Sequence, residues 1–537
     1  MTKTYNMPRT IIIVKAAIVL VAALFLTAII NEKMISLADE YPVSINQCVI
    51  QGSDVLVQVE AHQLPASDDG LFHLFAQEVY QGGVSGIEVG QAQIAQRVDF
   101  VFALNKNTPS THLYHKFVVA YIQNGVWMQA SSARYITNPE GCADHTVGRN
   151  DRGKKGIMPA AARLHSQDLV DLNIDQCTYN VPIGNLCNVS SGGRIEYTYN
   201  GKTYYFNSAI VGEYDSLVPQ MNSRGIQLTL IILNNQANDL SLIHPLARGG
   251  AGAHYYAFNT AEQEGVERLE AVATFLATRY SGTGHGTVDN WIIGNELNCR
   301  ADWHYLPEIG LDAVVTEYAN SFRIFYSAIK SVNANARVYI SLEQQWNSVK
   351  YHNRAYPARQ YLDRFNLIMK AQGDVNWDLA YHPYNMPMYS ISPWAGGTDT
   401  THSLDTAYIS MYNIDVLTDY MCQQAYLAPN GQVRSILLSE QGYTSIYGEE
   451  LQAAAIVYAY LQAMKNQHID GFILARQMDD SSEMAGKLAL GLQDLYGNHK
   501  LGYDYYKNIN GPNAATYINS AASTIGVADL ESLFTYR

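Results

Sequence analysis

At 537 residues, the chain is too long to fold around one compact core, so two or three domains are expected. Hydrophobic residues make up 47% of the sequence, which excludes extensive disorder. Charged residues make up only 16% and the formal net charge is −14, which argues against a nucleic-acid partner, since that requires clustered Lys and Arg. The 39 tyrosines suit either sugar contacts or the surface of an exported protein.

The N-terminus has the order of a secretory signal. Lys3, Arg9 and Lys15 accompany the start of an apolar run that reaches residue 30, and a polar stretch then leads to Ala38. The run is also long enough to remain as a membrane anchor. We therefore predict that residues 1–38 are a signal peptide or a membrane tether through residues 11–30, and that the rest of the chain is secreted or displayed at the cell surface.

The cysteines allow two interpretations. Their spacing fits neither a zinc site nor a dense disulfide framework. Cys48 and Cys142 flank the first predicted domain, so a disulfide could join its ends in an oxidising compartment. Separate buried thiols are the alternative.

Residues 45–142 alternate apolar and polar positions in short runs separated by turn-rich pieces. This period of two is typical of an antiparallel β-sandwich, here immunoglobulin- or fibronectin-like in size. A charged, glycine-bearing segment follows at 142–156. We predict that it marks the boundary between two separate domains.

From residue 154 to residue 510 the pattern changes to alternating strands and helices. Eight near-continuously apolar strands, most followed by a helix, indicate a parallel sheet closed into a (β/α)₈ barrel, an α/β TIM barrel. An open doubly wound sheet is the alternative, but the glycine-rich run 282–287 precedes a strand and does not follow one. Residues 511–537 form a C-terminal extension. The predicted strands are 154–158, 176–183, 226–235, 290–296, 336–346, 377–384, 434–441 and 471–478. The predicted helices are 159–172, 212–222, 262–279, 312–331, 357–371, 404–423, 449–467 and 499–508.

Two of these strands end in a glutamate. The fourth carries Asn295 and Glu296 at its carboxyl end, and the seventh carries Glu440. Ionisable groups that end buried strands are costly unless they face a solvated cleft. In a barrel that cleft is the active-site mouth, so the sequence predicts two carboxyl groups there.

Asn-Glu at the end of strand four with Glu at the end of strand seven resembles clan A of the glycoside hydrolases, in a bacterial subgroup that carries an N-terminal β-sandwich. The resemblance covers about residues 154–510 and implies a retaining glycosidase. Glu296 would be the acid/base, Glu440 the nucleophile, and Asn295 a ligand of the sugar 2-hydroxyl. His382 and Tyr384 end strand six as the clan's His-x-Tyr pair, with the tyrosine hydroxyl on the nucleophile; a buried histidine and a packed tyrosine are the alternative.

Further substrate-binding candidates lie at other strand ends. Asn180 ends strand two, where many clan members carry an arginine. Arg476 on strand eight could supply the positive charge of that arginine. Gln477 occupies the position of the clan's strand-eight tryptophan. The flexible, aromatic segment 247–258 could form a cleft wall. The remaining candidates are Trp303, Trp346 and Asn234.

No metal, nucleotide or serine-hydrolase motif occurs, so we predict neither a metal nor a cofactor. The expected ligand is an oligo- or polysaccharide. Two alternatives to hydrolysis stay open. One is a non-catalytic carbohydrate-binding or adhesive surface protein on a degenerate barrel, and the other is a transglycosylase that uses the same residues.

Overall fold

The structure, a computed structural model, describes residues 41–189, 193–250 and 252–537. The predicted signal peptide or anchor lies outside these residues. Among the helices of the described ranges, none has the length and apolar character needed to cross a membrane.

The N-terminal part is a pair of antiparallel sheets. One sheet pairs β1, β2 and β5, and the other has the order β4-β3-β6-β7 with β8 beside β6. Along β2, Val55, Val57 and Val59 are buried in strict alternation, which is the predicted period of two. The strands are β1 (Val43–Gln51), β2 (Asp54–Ala61), β3 (Leu71–Gln77), β4 (Ile87–Gln93), β5 (Arg97–Ala103), β6 (Lys116–Gln123), β7 (Val126–Gln129) and β8 (Arg134–Tyr135).

The following strands confirm the barrel. β11 and β12 form an antiparallel hairpin, and the other eight close into a parallel barrel in which chain order is also neighbour order. The doubly wound alternative is therefore wrong. The strands are β9 (Lys155–Ile157), β10 (Gln176–Pro182), β11 (Arg194–Tyr199), β12 (Lys202–Asn207), β13 (Gln227–Leu233), β14 (Asn290–Ile293), β15 (Arg337–Glu343), β16 (Trp377–His382), β17 (Ile436–Gln441) and β18 (Ile469–Leu474).

The barrel strands are buried on both faces because side chains alternate between the barrel interior and the surrounding helices. All seven residues of β13 are buried. The interior is filled by a compact apolar cluster, so it is a packed core and not a channel. The cluster consists of Ile231, Leu233, Ile292, Tyr339, Ala380, Leu437 and Ile473.

The helices outside the barrel follow the predicted order with one main difference. In place of a helix over 159–172, the chain makes a 3₁₀ turn at Ala161–Arg163 and a single helical turn at Asp168–Asp171. Buried Asp168 accepts hydrogen bonds from Gln477 and Gln493, which fixes this segment against the strand-eight end. The α-helices are Asp168–Asp171, Ile183–Leu186, Ser208–Ser223, Gln263–Arg279, Arg300–Trp303, Leu311–Val332, Ala358–Ala371, Ile414–Met421, Glu449–Lys465, Ser481–Met484, Leu501–Asn508 and Ala514–Ile525.

The sandwich packs directly on the barrel helices. The Lys106 ammonium donates to the Ser331 carbonyl at 2.7 Å, and Tyr114 bonds Thr274 at 3.1 Å. The Tyr135 amide donates to the Gln372 carbonyl at 2.9 Å. These hydrogen bonds involve both backbone and side-chain groups, and they hold the sandwich in one orientation relative to the barrel.

None of the six cysteines, all in the described ranges, forms a disulfide. The Cys142 thiol donates to the Pro139 carbonyl, and Cys48 is buried in the sandwich core. The structure therefore has the separate thiols of the alternative interpretation.

Candidate active site

The chain bends sharply where β14 ends, and this bend delivers Glu296. Gly294 has φ +82°, and a Cβ there would lie 2.8 Å from Leu297, so the position requires glycine. Glu296 itself has φ +40°, a left-handed conformation that costs a non-glycine residue about 1 kcal/mol or more. The Gly294 amide donates to the Ile232 carbonyl, and the Glu296 amide donates to the Ser341 hydroxyl. The neighbouring strands thus hold the carboxyl group in a strained position at the mouth.

His382 is the last residue of β16 and links the carboxyl ends of β14 and β17. Its Nδ1 lies 2.9 Å from Glu296 Oε1, and its Nε2 lies 3.0 Å from the Ser439 hydroxyl. When that hydroxyl donates to Nε2, the imidazole proton is on Nδ1 and is donated to Glu296. Burial acts to lower the pKa of His382, but the carboxylates of Glu440 and Glu296 outweigh it and raise the pKa.

Glu440 stands beside Ser439 on β17, and Tyr384 donates its hydroxyl proton to Glu440 Oε1 at 2.9 Å. Tyr384 is only 3% exposed. Burial raises the pKa of this phenol, and the Glu440 charge raises it further, so Tyr384 remains a donor at neutral pH. The hydrogen bond fixes the orientation of the Glu440 carboxyl.

Glu296, His382 and Glu440 converge, with their ligand atoms all within 4.8 Å of one another. Burial raises the pKa of Glu296; the His382 hydrogen bond opposes this rise and the Glu440 charge adds to it. Three such ligand atoms could also hold a divalent metal. In the structure, however, His382 Nδ1 is engaged with Glu296, and Tyr384 bonds Glu440.

Two further predicted residues lie near this centre. Asn295 is buried and directly precedes Glu296. Trp303 stacks on His254 with ring centroids 4.5 Å apart and also contacts Tyr255. Burial raises the pKa of Tyr255, and the charge of Glu440 raises it further. Within the predicted wall segment, His254 and Tyr255 therefore pack against Trp303.

Three predicted cleft residues lie in the core. Trp346 is fully buried against Tyr420, because β15 already ends at Glu343 and the following residues turn inward. The Asn234 amide donates to the carbonyls of Leu242 and Ala257, so it fixes a loop. Gln477, also fully buried, donates to Asp168.

Asn180 and Arg476 lie together in a separate part of the mouth. They line a cleft of about 570 Å³ at the carboxyl ends of β9, β10 and β18. Asn180 is exposed there, so its amide can reach a ligand. Arg476 contacts Asp480 and Glu483, and not the carboxyl of Glu440.

Sequence reasoning missed several residues that contact this centre. Ser341 lies two residues before the end of β15, and Ser439 directly precedes Glu440; serine gave no distinct signal at either position. Glu343 is the last residue of β15, just as Glu440 is the next-to-last residue of β17, so the sequence carried a signal for it. It is buried and held by the amides of Asn298 and Gln345. Burial and the Glu296 charge raise the pKa of Glu343 to about 7.

The strand pairing and the carboxyl cluster define a (β/α)₈-barrel protein with an N-terminal β-sandwich. The chain belongs to the family described as "Family of unknown function (DUF5722)", whose model matches residues 147–533. No curated protein matches the chain.

Solved structures similar to this chain carry the names of glycosidases. A family 39 glycoside hydrolase from Bacteroides cellulosilyticus WH2 is 13% identical with a TM-score of 0.44, over 88% of this chain and 82% of that one. A β-glucosidase from Pyrococcus furiosus is 15% identical with a TM-score of 0.46, over 70% and 88%. A β-D-glucuronidase from Dictyoglomus thermophilum is 11% identical with a TM-score of 0.36, over 87% and 68%. With sequence identities and TM-scores this low, the fold assignment rests on the strand pairing of this barrel and not on these similarities.

Proposed function

We propose that the protein is an exported retaining glycoside hydrolase. The observation that carries this proposal is the approach of Glu296 and Glu440 at the carboxyl end of the barrel, where one carboxyl oxygen of each lies within 4.8 Å of the other. Retaining enzymes hold their two carboxyls about 5–5.5 Å apart, whereas inverting enzymes need about 6.5–9.5 Å for a water molecule. The short separation favours attack by a carboxylate over attack by water.

Glu296 is the acid/base in this proposal. Its raised pKa favours the protonated form with which an acid catalyst must begin. Oε1 accepts the Nδ1 proton of His382, which leaves the other oxygen to protonate the departing glycosidic oxygen. His382 thus orients the carboxyl and stabilises the carboxylate formed after the proton has left.

Glu440 is the nucleophile. Its carboxylate attacks the anomeric carbon as the bond to the glycosidic oxygen breaks, and that oxygen takes the Glu296 proton. The Glu296 carboxylate then removes a proton from water, which attacks the anomeric carbon and releases Glu440. Tyr384 holds the Glu440 carboxyl in place before attack, and Asn295 lies beside Glu296, where it bonds a sugar hydroxyl as positive charge develops on the ring.

The test is turnover of a panel of nitrophenyl glycosides by the purified ectodomain, with Glu440→Ala, Glu296→Ala and an exposed control, Glu450→Gln. We expect the control to match the parent. Azide should rescue Glu440→Ala with a glycosyl azide of inverted configuration, and Glu296→Ala with one of retained configuration. Rescue with inversion at position 296 would exchange the two roles, and full activity of both alanine variants would exclude the mechanism.

The same experiment separates the alternatives. A transglycosylase would give more transfer product than free sugar when an acceptor sugar is added. A carbohydrate-binding protein on a degenerate barrel would bind sugars without turnover of any glycoside. A metal-dependent reaction at Glu296, His382 and Glu440 would lose activity on dialysis against EDTA, whereas the proposed mechanism keeps it.

Export rests on the order of charged, apolar and small residues at positions 1–38. Expression of the full chain in a bacterial host followed by fractionation tests it. We expect the barrel outside the cytoplasm, either released and beginning near residue 39 or retained in the membrane fraction. Recovery of the intact chain only from the cytoplasm would contradict export.

A further inference from the structure

His382 is enclosed by hydrogen-bonding side chains at the carboxyl end of the barrel, and it is only 1% exposed. Its Nδ1 lies 2.9 Å from Glu296 Oε1. Its Nε2 faces two serine hydroxyls, that of Ser439 at 3.0 Å and that of Ser341 at 3.5 Å. Because solvent barely reaches the ring, these three neighbours decide which nitrogen carries the proton of the neutral imidazole.

The two serine hydroxyls each have a proton of their own that needs an acceptor. Ser341 and Ser439 are both fully buried. Ser341 Oγ accepts from the Glu296 amide at 3.3 Å, a bond that uses a lone pair and not the hydroxyl proton. Within the described ranges, the one acceptor in hydrogen-bond reach of either hydroxyl is His382 Nε2. Ser439 is the nearer of the two and is therefore the main donor to this nitrogen.

The two neutral tautomers of the ring satisfy these groups unequally. With the proton on Nδ1, His382 donates to Glu296 and accepts the Ser439 proton at Nε2. With the proton on Nε2, the ring donates to a serine oxygen, and both buried hydroxyl protons lose their acceptor. A buried donor without a partner is costly, so the Nδ1 tautomer should be favoured by a factor on the order of ten.

The tautomer also decides where the acid proton of Glu296 is held. A ring that donates from Nδ1 occupies Oε1 as an acceptor, so the carboxyl proton is on Oε2 and faces the departing oxygen. A ring without a proton on Nδ1 would accept the carboxyl proton across the 2.9 Å contact and hold it away from the substrate. Ser439 therefore acts on the acid/base through His382, over two hydrogen bonds.

We propose that Ser439 is a positioning residue, which fixes the proton of His382 on Nδ1 and thereby keeps the acid proton of Glu296 directed at the substrate. This role rests on the proposed glycosidase function, in which Glu296 is the acid/base. Ser341, at the longer distance, is a weaker second donor to the same nitrogen.

Kinetics on two classes of leaving group tests the role. In Ser439→Ala, kcat/KM on glycosides with poor leaving groups should fall about tenfold, whereas kcat/KM on activated aryl glycosides, which need no proton, should change less than about twofold. Ser439→Thr keeps a hydroxyl and should restore most of the loss. The control is Ser331→Ala, whose buried hydroxyl donates to the Ala328 carbonyl in the same helix and should leave both values unchanged. An equal loss on both classes of substrate, or no loss, would overturn the proposal.

The tautomer itself is measurable without a substrate. Nitrogen-15 NMR of histidine-labelled protein distinguishes the two neutral forms, and the His382 signals are assigned by their loss in His382→Asn. As the pH is raised until the ring is neutral, we expect the parent to carry the proton on Nδ1. Ser439→Ala should populate the Nε2 form about tenfold more. A parent ring protonated on Nε2, or the same tautomer ratio in both proteins, would contradict the role of Ser439.

The two measurements separate a failure of this role from a failure of the glycosidase function. The expected tautomer change in a protein that turns over no glycoside would support the control of His382 by Ser439 and contradict the hydrolase. Turnover of glycosides with an unchanged tautomer would keep the hydrolase and overturn the role of Ser439. If Ser439→Ala does not fold, Ser439→Cys replaces it, because a thiol is a weaker donor of similar shape.

Discussion

The two ends of the barrel both bury charged side chains, but they partner them differently. At the amino end, Arg434 is fully buried, lies over the Trp377 ring and donates to both oxygens of Asp374 at 2.8 and 2.9 Å. At the carboxyl end, Glu296 and Glu440 are partnered by an imidazole and a phenol. Matched charges stabilise a structure without offering chemistry, whereas two adjoining carboxyls cost stability and are typical of a catalytic site.

The largest expected effect lies at the carboxyl end. Glu296→Gln cannot protonate a leaving group, so kcat on glycosides with poor leaving groups should fall about 10²–10⁴-fold. Activated aryl glycosides should still form the intermediate, with a pre-steady-state burst, because they leave without a proton. Stopped-flow kinetics on a series of leaving groups measures both effects. A uniform loss across the series would contradict the acid/base role.

At the amino end of the barrel, we expect substitutions to lower the free energy of unfolding without changing the catalytic activity. Arg434→Met removes a fully buried guanidinium from the largely buried Asp374, and breaking such a pair costs about 3–5 kcal/mol of the free energy of unfolding. Urea unfolding measures this loss, with kcat per folded molecule unchanged. The control is Arg97→Gln, whose exposed pair with Glu60 spans 3.8 Å and contributes about 1 kcal/mol or less. Equal losses in the two variants would remove the contrast between buried and exposed pairs.

A smaller effect is expected for Tyr384→Phe. It removes one hydrogen bond to a charged group, which is typically worth about 1.5–3 kcal/mol, so kcat/KM should fall roughly 10–100-fold. The ring remains, so the melting temperature should change little. Steady-state kinetics measures the loss of kcat/KM, and a thermal melt measures any change in the melting temperature. A variant with normal kinetics would remove Tyr384 from the mechanism.

The smallest change is in pH dependence. Activity requires protonated Glu296, so it should be lost as the pH rises through the raised pKa of this group. His382 lowers that pKa through its hydrogen bond and charge, so His382→Leu should move the basic limb of the kcat/KM profile to higher pH. The exposed His62→Leu serves as the control with an unchanged profile. A shift to lower pH would contradict the electrostatic role of His382.

The fold was largely readable from the sequence because buried parallel strands leave long apolar runs at regular intervals. The carboxyl positions followed from the same pattern, since Glu296 and Glu440 interrupt such runs at their carboxyl ends. Trp346, Asn234 and Gln477 were predicted to face the cleft, and the structure buries all three. A strand's last residue and the turn of the chain after it depend on tertiary contacts, such as the hydrogen bonds of Gln477 with Asp168 and Ala160. The pairing of Arg476 with Glu483 arises from the fold of a loop and has no periodic signal.

The most direct test of the central claim is to trap the covalent intermediate. Incubation with a 2-deoxy-2-fluoro glycoside bearing an activated leaving group slows release of the sugar more than its attachment. Mass spectrometry of the digested protein should then locate one fluoroglycosyl group on Glu440, with none in the Glu440→Gln variant. Attachment to Glu296 or Glu343, or a confirmed substrate hydrolysed with inversion and no adduct, would contradict the account.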